Sequence, residues 1–196
     1  RLPLVVLASG RGSNLQAIVR DIEAGRLAAA VRAVLSDKPE APVLAWSRTR
    51  GIAAEALPAA GFADRALYDA ALAERVAAFE PGLVVLAGFM RILSPAFVDA
   101  FEGRMVNIHP SLLPRHRGLH THRRVLEAGE REHGASVHFV TRELDGGPVV
   151  LQARVPVRDD DDEASLAARV LEQEHRIYPA AIGWFEEAVQ VLAMKV

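Results

Sequence analysis

Asn107 and His109 stand two apart in MVNIHPSLLPRHRG, residues 105–118, where an apolar strand gives way to two prolines. Side chains two apart on a strand share a face, so an amide and an imidazole project to one side while Ile108 turns into the core. Pro110 and Pro114 then restrict the loop that carries the chain away. On these two residues alone two readings stay open: a half-buried His beside a turn-forming Asn, or a proton donor beside an oxyanion-stabilising amide. Asp145, in the stretch ELDGG, separates them. Its adjacent glycines allow a tight turn close to a ligand, and a carboxylate there can pair with the imidazole and favour its charged form. A charged imidazole beside an amide suits acyl transfer to an amine, in which an oxyanion forms and a leaving nitrogen needs a proton. There is no GxSxG elbow, and Ser111 has no strand-to-helix turn beneath it, so no serine nucleophile is required.

Groups so far apart in the chain need a fold that gathers them. The apolar runs PLVVLA, VRAVLS, GLVVLAGFM and RMVNIH alternate with amphipathic stretches such as SNLQAIVRDIEAG and RALYDAALAERVAAFEPG. That alternation predicts an α/β fold: an open, mostly parallel twisted sheet with helices on both faces. Gly25 and Pro81 are placed to stop two of the helices. Beyond residue 134, ASVHFV and PVVLQARVPV predict two added antiparallel strands joined through TRELDGG. A helix from about Glu163 to Tyr178 follows, with Pro179 expected to break it before a last helix and a short C-terminal strand. The acidic run DDDDE at 159–163 reads as a solvated turn whose carboxylates favour that helix's N-terminus. With no repeat, linker or boundary in view, residues 1–196 are expected to form a single domain.

Between the first strand and first helix, ASGRGSNLQAI sets Gly10 and Gly12 where backbone N–H groups can cradle a phosphate, with Ser13 or Asn14 expected to cap the helix. A dinucleotide turn competes, and Asp37 sits where its ribose-binding acid would stand. The third glycine is missing, however, and Leu15 follows instead. A single phosphate therefore fits better than a pyrophosphate, and a plain structural turn remains an alternative.

The balance of 23 basic and 25 acidic residues, net −2, gives no overall field for nucleic acid or an anionic membrane. Any anion must be met by local groups. The absence of cysteine removes disulfides, thiolate nucleophiles and Cys-ligated zinc, and is compatible with a reducing compartment. RLPLVVLASG has the outline of a signal peptide but is better read as the first buried strand, because a glycine turn and an amphipathic helix follow at once. No apolar run approaches the ~20 residues of a membrane span. His116, His120 and His122 in HRGLHTH catch the eye as metal ligands, but that loop shows no helical pattern and no carboxylate at useful spacing, so no metal is expected. His138, in the middle of SVHFV, suits either the core or the cleft.

Taken together, GSNLQAI, LAGFMRILSPAFV, NIHPSLLP, GLHTHRRVLEAGEREHGASVHFV, ELDGGPVVLQARVPV and LEQEHRIYP resemble the phosphoribosylglycinamide formyltransferases, within the folate-dependent formyltransferase family. The resemblance runs along nearly the whole chain in the family's order. HPSLLP and LDGG are shared with other formyl-folate enzymes, whereas the early GSN loop favours the glycinamide branch. It implies transfer of a formyl group from 10-formyltetrahydrofolate to the amine of 5-phosphoribosylglycinamide, in purine biosynthesis. By that likeness His109 is the general acid, Asp145 keeps it charged and Asn107 steadies the tetrahedral intermediate. Gly12, Ser13, Asn14, Gly88, Gln173 and Glu174 would take the ribonucleotide. Arg65, Met90, Arg91, Ile92, Leu93, Asn107, Thr141, Arg142, Glu143, Leu144 and Asp145 would take the folate. The same resemblance implies small-molecule substrates only, no metal, a cytoplasmic setting, and a monomer or homodimer. Arg142 departs from it, standing where the family is expected to carry an acidic residue, and the C-terminus is short by the same standard.

Overall fold

The computed structural model describes residues 1–193, the last five by their backbone alone. Seven strands form one sheet: β1 (Leu2–Leu7), β2 (Ala29–Ser36), β3 (Ala53–Ala56), β4 (Leu83–Leu86), β5 (Met105–His109), β6 (Glu132–Phe139) and β7 (Val149–Pro156), in spatial order β3-β2-β1-β4-β5-β6-β7. The first five in that order pair in parallel, while β6 and β7 add antiparallel. The sheet is thus open and mostly parallel, as the alternation of apolar runs requires. Strand order reverses between β1 and β4, and in such sheets the crevice beyond the carboxyl ends at that reversal is where ligands bind.

Alternation along each strand divides the core into two layers. Leu4, Val6, Val34, Val85, Val106 and Ile108 face helices α1 (Ser13–Glu23), α2 (Pro42–Thr49), α5 (Thr121–Glu127) and α6 (Glu163–Ala193). Val5, Leu7, Leu35, Val84, Leu86 and Met105 face α3 (Arg65–Ala77) and α4 (Pro95–Ala100). Because Met105 lies on the second face, Asn107 and His109 emerge on that face too, opposite Ile108, as their spacing dictates. No helix among the described residues is long and apolar enough to cross a membrane.

Helix α6 overturns one expectation. It passes through Pro179 without a break and continues to Ala193, so what remains of the expected C-terminal strand lies outside the described residues. An internal proline costs a helix about 3 kcal/mol, but Ile177, Tyr178, Ala181 and Ile182 carry the buried face straight across it. Tertiary packing outweighs the local penalty. The helix starts as the acidic run suggested: Asp162 accepts from the backbone N–H of Ser165 at 2.7 Å, and Ser165 Oγ accepts from the N–H of Asp162 at 3.1 Å. The short elements α2, α4, α5 and β3 lack a long apolar period and were not foreseen. In particular, Thr121 and His122 open a helix where a loop was expected.

Tyr178 fastens α6 to the two strands that carry the site. Its hydroxyl, completely buried, donates to the carbonyls of Leu86 at 2.7 Å and Val106 at 3.2 Å. Burial pushes its ionisation well above the ordinary tyrosine range, reinforced by the nearby Glu174 carboxylate. Replacing Tyr178 with Phe removes this link between α6 and the two strands, whose carbonyls also serve the β4–β5 pairing, and chemical denaturation is expected to show a loss of about 1 kcal/mol.

Candidate active site

Three chain exits build the cleft. After β1 the chain turns through Ser9, whose hydroxyl donates to Asp37 Oδ1 at 2.6 Å and accepts from the backbone N–H of Met90 at 2.9 Å. Asp37 is therefore engaged in tying three strand exits together. Gly12 follows in the left-handed region at φ 75°, and a side chain there would collide with Val43. Neither Ser13 nor Asn14 caps α1, contrary to expectation: Gly12 is the cap residue and no side chain bonds the first turn. The N–H groups of that turn are left for another acceptor. Leu15, in place of a third glycine, is wholly buried.

After β4 comes Gly88, at φ 74°, and then the segment Phe89 to Leu93 along one wall. Helix α3 braces that segment from behind. Arg65 donates to the carbonyl of Ile92, and the buried Asp69 accepts from the N–H of Ser94 at 2.6 Å. Arg65 keeps an exposed guanidinium at the outer side of this wall.

After β5 come the residues that could do chemistry. Register places Asn107 opposite His138 on β6, so the two share a face, and Asn107 Nδ2 lies 3.2 Å from His138 Nε2. His138 Nδ1 donates to the carbonyl of Phe139 at 2.9 Å, which leaves Nε2 to accept from the amide. Burial holds the His138 imidazole below its ordinary range, despite the opposing pull of the Phe139 carbonyl and the Asp145 carboxylate. It is a neutral acceptor.

Asp145 arrives from the loop between β6 and β7 with φ 50°, in a turn where Gly147 has no room for a side chain against the carbonyl of Phe139. The glycines thus serve close backbone packing, and it is the carboxylate that reaches the cleft. Its Oδ2 accepts from the N–H of Gly118 at 2.9 Å and lies 3.5 Å from His109 Nδ1, while Oδ1 lies 3.7 Å from His138 Nε2. The other nitrogen of His109, Nε2, donates to the carbonyl of His116 at 2.9 Å. Asn107, His109 and Asp145 therefore converge, with the His138 ring standing between the amide and the carboxylate. His138 had been left open between core and cleft. Its strand position was legible, but its partner across the sheet was not.

The cleft these groups share holds about 640 Å³. At one end Asn14 and Gly88 meet Glu174 of α6, whose Oε1 accepts from Asn14 Nδ2 at 3.5 Å. Asn14 Oδ1 is buried there without a partner. Desolvation pushes Glu174 up to about 7, with the Asn14 amide pulling the other way. Gln173 lies off the cleft wall, as do Gly12 and Ser13, which stand at the start of α1 behind Asn14. At the other end Met90, Ile92 and Leu144 form an apolar rim, 67%, 61% and 51% exposed, with Arg91, Leu93, Thr141 and Glu143 between them. Exposed apolar groups on both lips suit a flat, largely apolar ligand. Arg142 is matched by Asp99 of α4, its Nε donating to Oδ1 at 2.8 Å, so its charge is balanced within the protein. His116, His120 and His122 do not converge: His116 bonds Glu130, and His122 shares a 3.0 Å hydrogen bond with His133.

A strand-order reversal, an uncapped helix start and an Asn–His–Asp cluster beside one cleft make this the candidate active site. The formyl transferase family matches residues 2–182, and the chain belongs to it. It is 55% identical over 184 residues to the phosphoribosylglycinamide formyltransferase of Escherichia coli K12, covering 94% of this chain and 87% of that one. It is 43% identical over 199 residues to the trifunctional purine biosynthetic protein adenosine-3 of Drosophila melanogaster, covering 100% of this chain and 15% of that protein. The crystal structure of glycinamide ribonucleotide transformylase 1 from Symbiobacterium toebii superposes with a TM-score of 0.93 at 45% identity, covering 95% of this chain and 88% of that one.

Glu174 gives a prediction with a definite sign. Its raised value means that the folded state keeps a proton which the unfolded chain, at the ordinary 4.5, has lost. The stabilisation is full below that ordinary value and fades as pH rises through about 7. Glu174→Gln is expected to be more stable than the parent at pH 8 by about 3 kcal/mol, with the difference vanishing near pH 4, as measured by denaturant titration at both pH values.

Proposed function

We propose that this protein transfers the formyl group of 10-formyltetrahydrofolate directly to the amine of 5-phosphoribosylglycinamide, giving formylglycinamide ribonucleotide and tetrahydrofolate for purine biosynthesis. The observation that carries the reading is the Asp145 carboxylate set between His109 and His138 beside Asn107. The amine nitrogen attacks the formyl carbon and the carbonyl electrons move onto oxygen. Asn107, with one amide hydrogen on His138 and the other unclaimed, steadies that oxyanion. The bond from carbon to the folate nitrogen then breaks, and that nitrogen takes a proton. His109 is the donor. Its Nε2 is fixed on the His116 carbonyl, whereas Nδ1 is only loosely shared with Asp145 across 3.5 Å, so the Nδ1 proton is the one available. The amine's proton passes to water and the spent His109 takes one back from water, so transfer consumes none overall.

The ribonucleotide takes the end at Asn14 and Glu174. The uncapped first turn of α1, at Gly12, Ser13 and Asn14, meets the phosphate. Asn14 Oδ1 and the Glu174 carboxylate are adjacent acceptors suited to sugar hydroxyls, with Gln173 alongside and Gly88 leaving room at the amine. The folate takes the apolar end, between Met90, Arg91, Ile92 and Leu93 on one side and Thr141, Arg142, Glu143, Leu144 and Asp145 on the other, with Arg65 shaping the first wall from behind. The substrates are small molecules, the setting is the cytoplasm, and the chain acts without a metal as a monomer or homodimer. A dinucleotide-dependent reaction is disfavoured by the engagement of Asp37 with Ser9 and by the burial of Leu15.

Mixing the purified chain with glycinamide ribonucleotide and 10-formyltetrahydrofolate is expected to give the absorbance change of deformylation, and controls lacking either substrate are not. His109→Ala should lower kcat by about 10³-fold while ribonucleotide binding by calorimetry is retained. Parent-level turnover in that variant would defeat the assignment.

A further inference from the structure

The geometry points to Glu130 as a residue that positions the catalytic imidazole through His116. The inference rests on the formyl-transfer reading for its kinetic consequences but on bond geometry for its substance. His116 does two things at once. Its side chain donates from Nε2 to Glu130 Oε1 at 2.6 Å, and its backbone carbonyl accepts from His109 Nε2 at 2.9 Å. The carboxylate's second oxygen is held by Arg115 Nη1 at 3.3 Å. With side-chain exposures of 14% for His116 and 24% for Glu130, this is not a solvated surface pair. The hydrogen bond from His116 holds the Glu130 carboxyl below the usual range, so it stays an ionised acceptor.

His116 also sits at φ 51°, in the left-handed region that a residue with a side chain seldom adopts. Such a conformation persists only where its surroundings over-determine it. Here they include the Glu130 anchor on the side chain and the His109 hydrogen bond on the carbonyl, with Ser111 Oγ and Arg124 Nη1 holding the neighbouring carbonyls of Arg115 and Arg117. Removing Glu130 takes away the one anchor on the His116 side chain, and the peptide that presents its carbonyl to Nε2 loosens. An imidazole turns about a broad, roughly two-fold torsion, so one anchor does not fix its ring plane. Asp145 at Nδ1 and the His116 carbonyl at Nε2 together do. Glu130 lies just beyond α5 and does not line the cleft, so its removal leaves the walls that bind both substrates in place.

Glu130→Ala and Glu130→Gln separate positioning from support of the fold, because glutamine keeps an oxygen that can accept from His116. With both substrates varied, Glu130→Ala is expected to lower kcat about tenfold while each KM stays within about twofold, since a small misplacement of a catalytic group costs rate far more than binding. Glu130→Gln is expected to restore most of that loss. In the ligand-free protein, the ring N–H resonance of His109 Nε2 should be protected from solvent exchange in the parent and in Glu130→Gln, and lost to exchange in Glu130→Ala. Unchanged kcat and an unchanged ring signal in Glu130→Ala, or a loss that glutamine does not restore, would overturn the proposal while leaving the formyl-transfer reading intact. A parent chain that transfers no formyl group would defeat that reading, and the ring signal would still decide whether Glu130 positions His109.

Discussion

A single carboxylate ties the site together. Asp145 lies at the end of a loop far along the chain from β5, yet its two oxygens reach His109, His138 and the backbone N–H of Gly118. It is 9% exposed, so its charge is largely desolvated and depends on the Gly118 N–H and the His109 imidazole, the His138 nitrogen beside it being a neutral acceptor. That dependence runs both ways. The imidazole needs the carboxylate to be placed, and the loop at 140–148 needs the hydrogen-bonding partners to be held against the sheet. Asp145 also adopts a left-handed backbone, at φ 50°, a conformation kept by what surrounds it.

The rest of the fold supplies the place where such a convergence is possible. Parallel strands β1, β4 and β5 end side by side, and the antiparallel return of β6 brings His138 back across from Asn107. Ser9 and Asp37 couple the exits of the first strands to the Met90 wall, and α3 presses on that wall through Arg65 and Asp69. On the other face α6 contributes Tyr178 to the strands and Glu174 to the cleft. Chemistry on one face of the sheet therefore depends on packing on both, and an inner layer of hydrogen bonds to backbone atoms keeps the two in register.

The sequence carried much of this, for physical reasons that differ from residue to residue. Asn107 and His109 share a face because a strand has a period of two, and that is readable without a partner. Asp145 is marked by its glycines, of which Gly147 leaves no room for a side chain against the carbonyl of Phe139, a contact set by tertiary packing and not readable along the chain. His138 could not be placed, because its neighbour is set by a cross-strand register between segments thirty residues apart. Pro179 does not break α6, because the buried face of Ile177, Tyr178, Ala181 and Ile182 spans it and outweighs local propensity. The cap of α1 was assigned to Ser13 or Asn14, whereas the left-handed Gly12 takes the position and leaves the turn open.

A double-mutant cycle between His109 and Asp145 tests the account most directly. If the carboxylate acts by holding the imidazole, it has nothing left to do once the ring is gone. Steady-state kcat/KM should then fall in His109→Ala/Asp145→Asn by about as much as in His109→Ala alone. Losses that multiply, so that the double variant falls by the product of the two single effects, would mean that the groups act independently, and the central claim would fail.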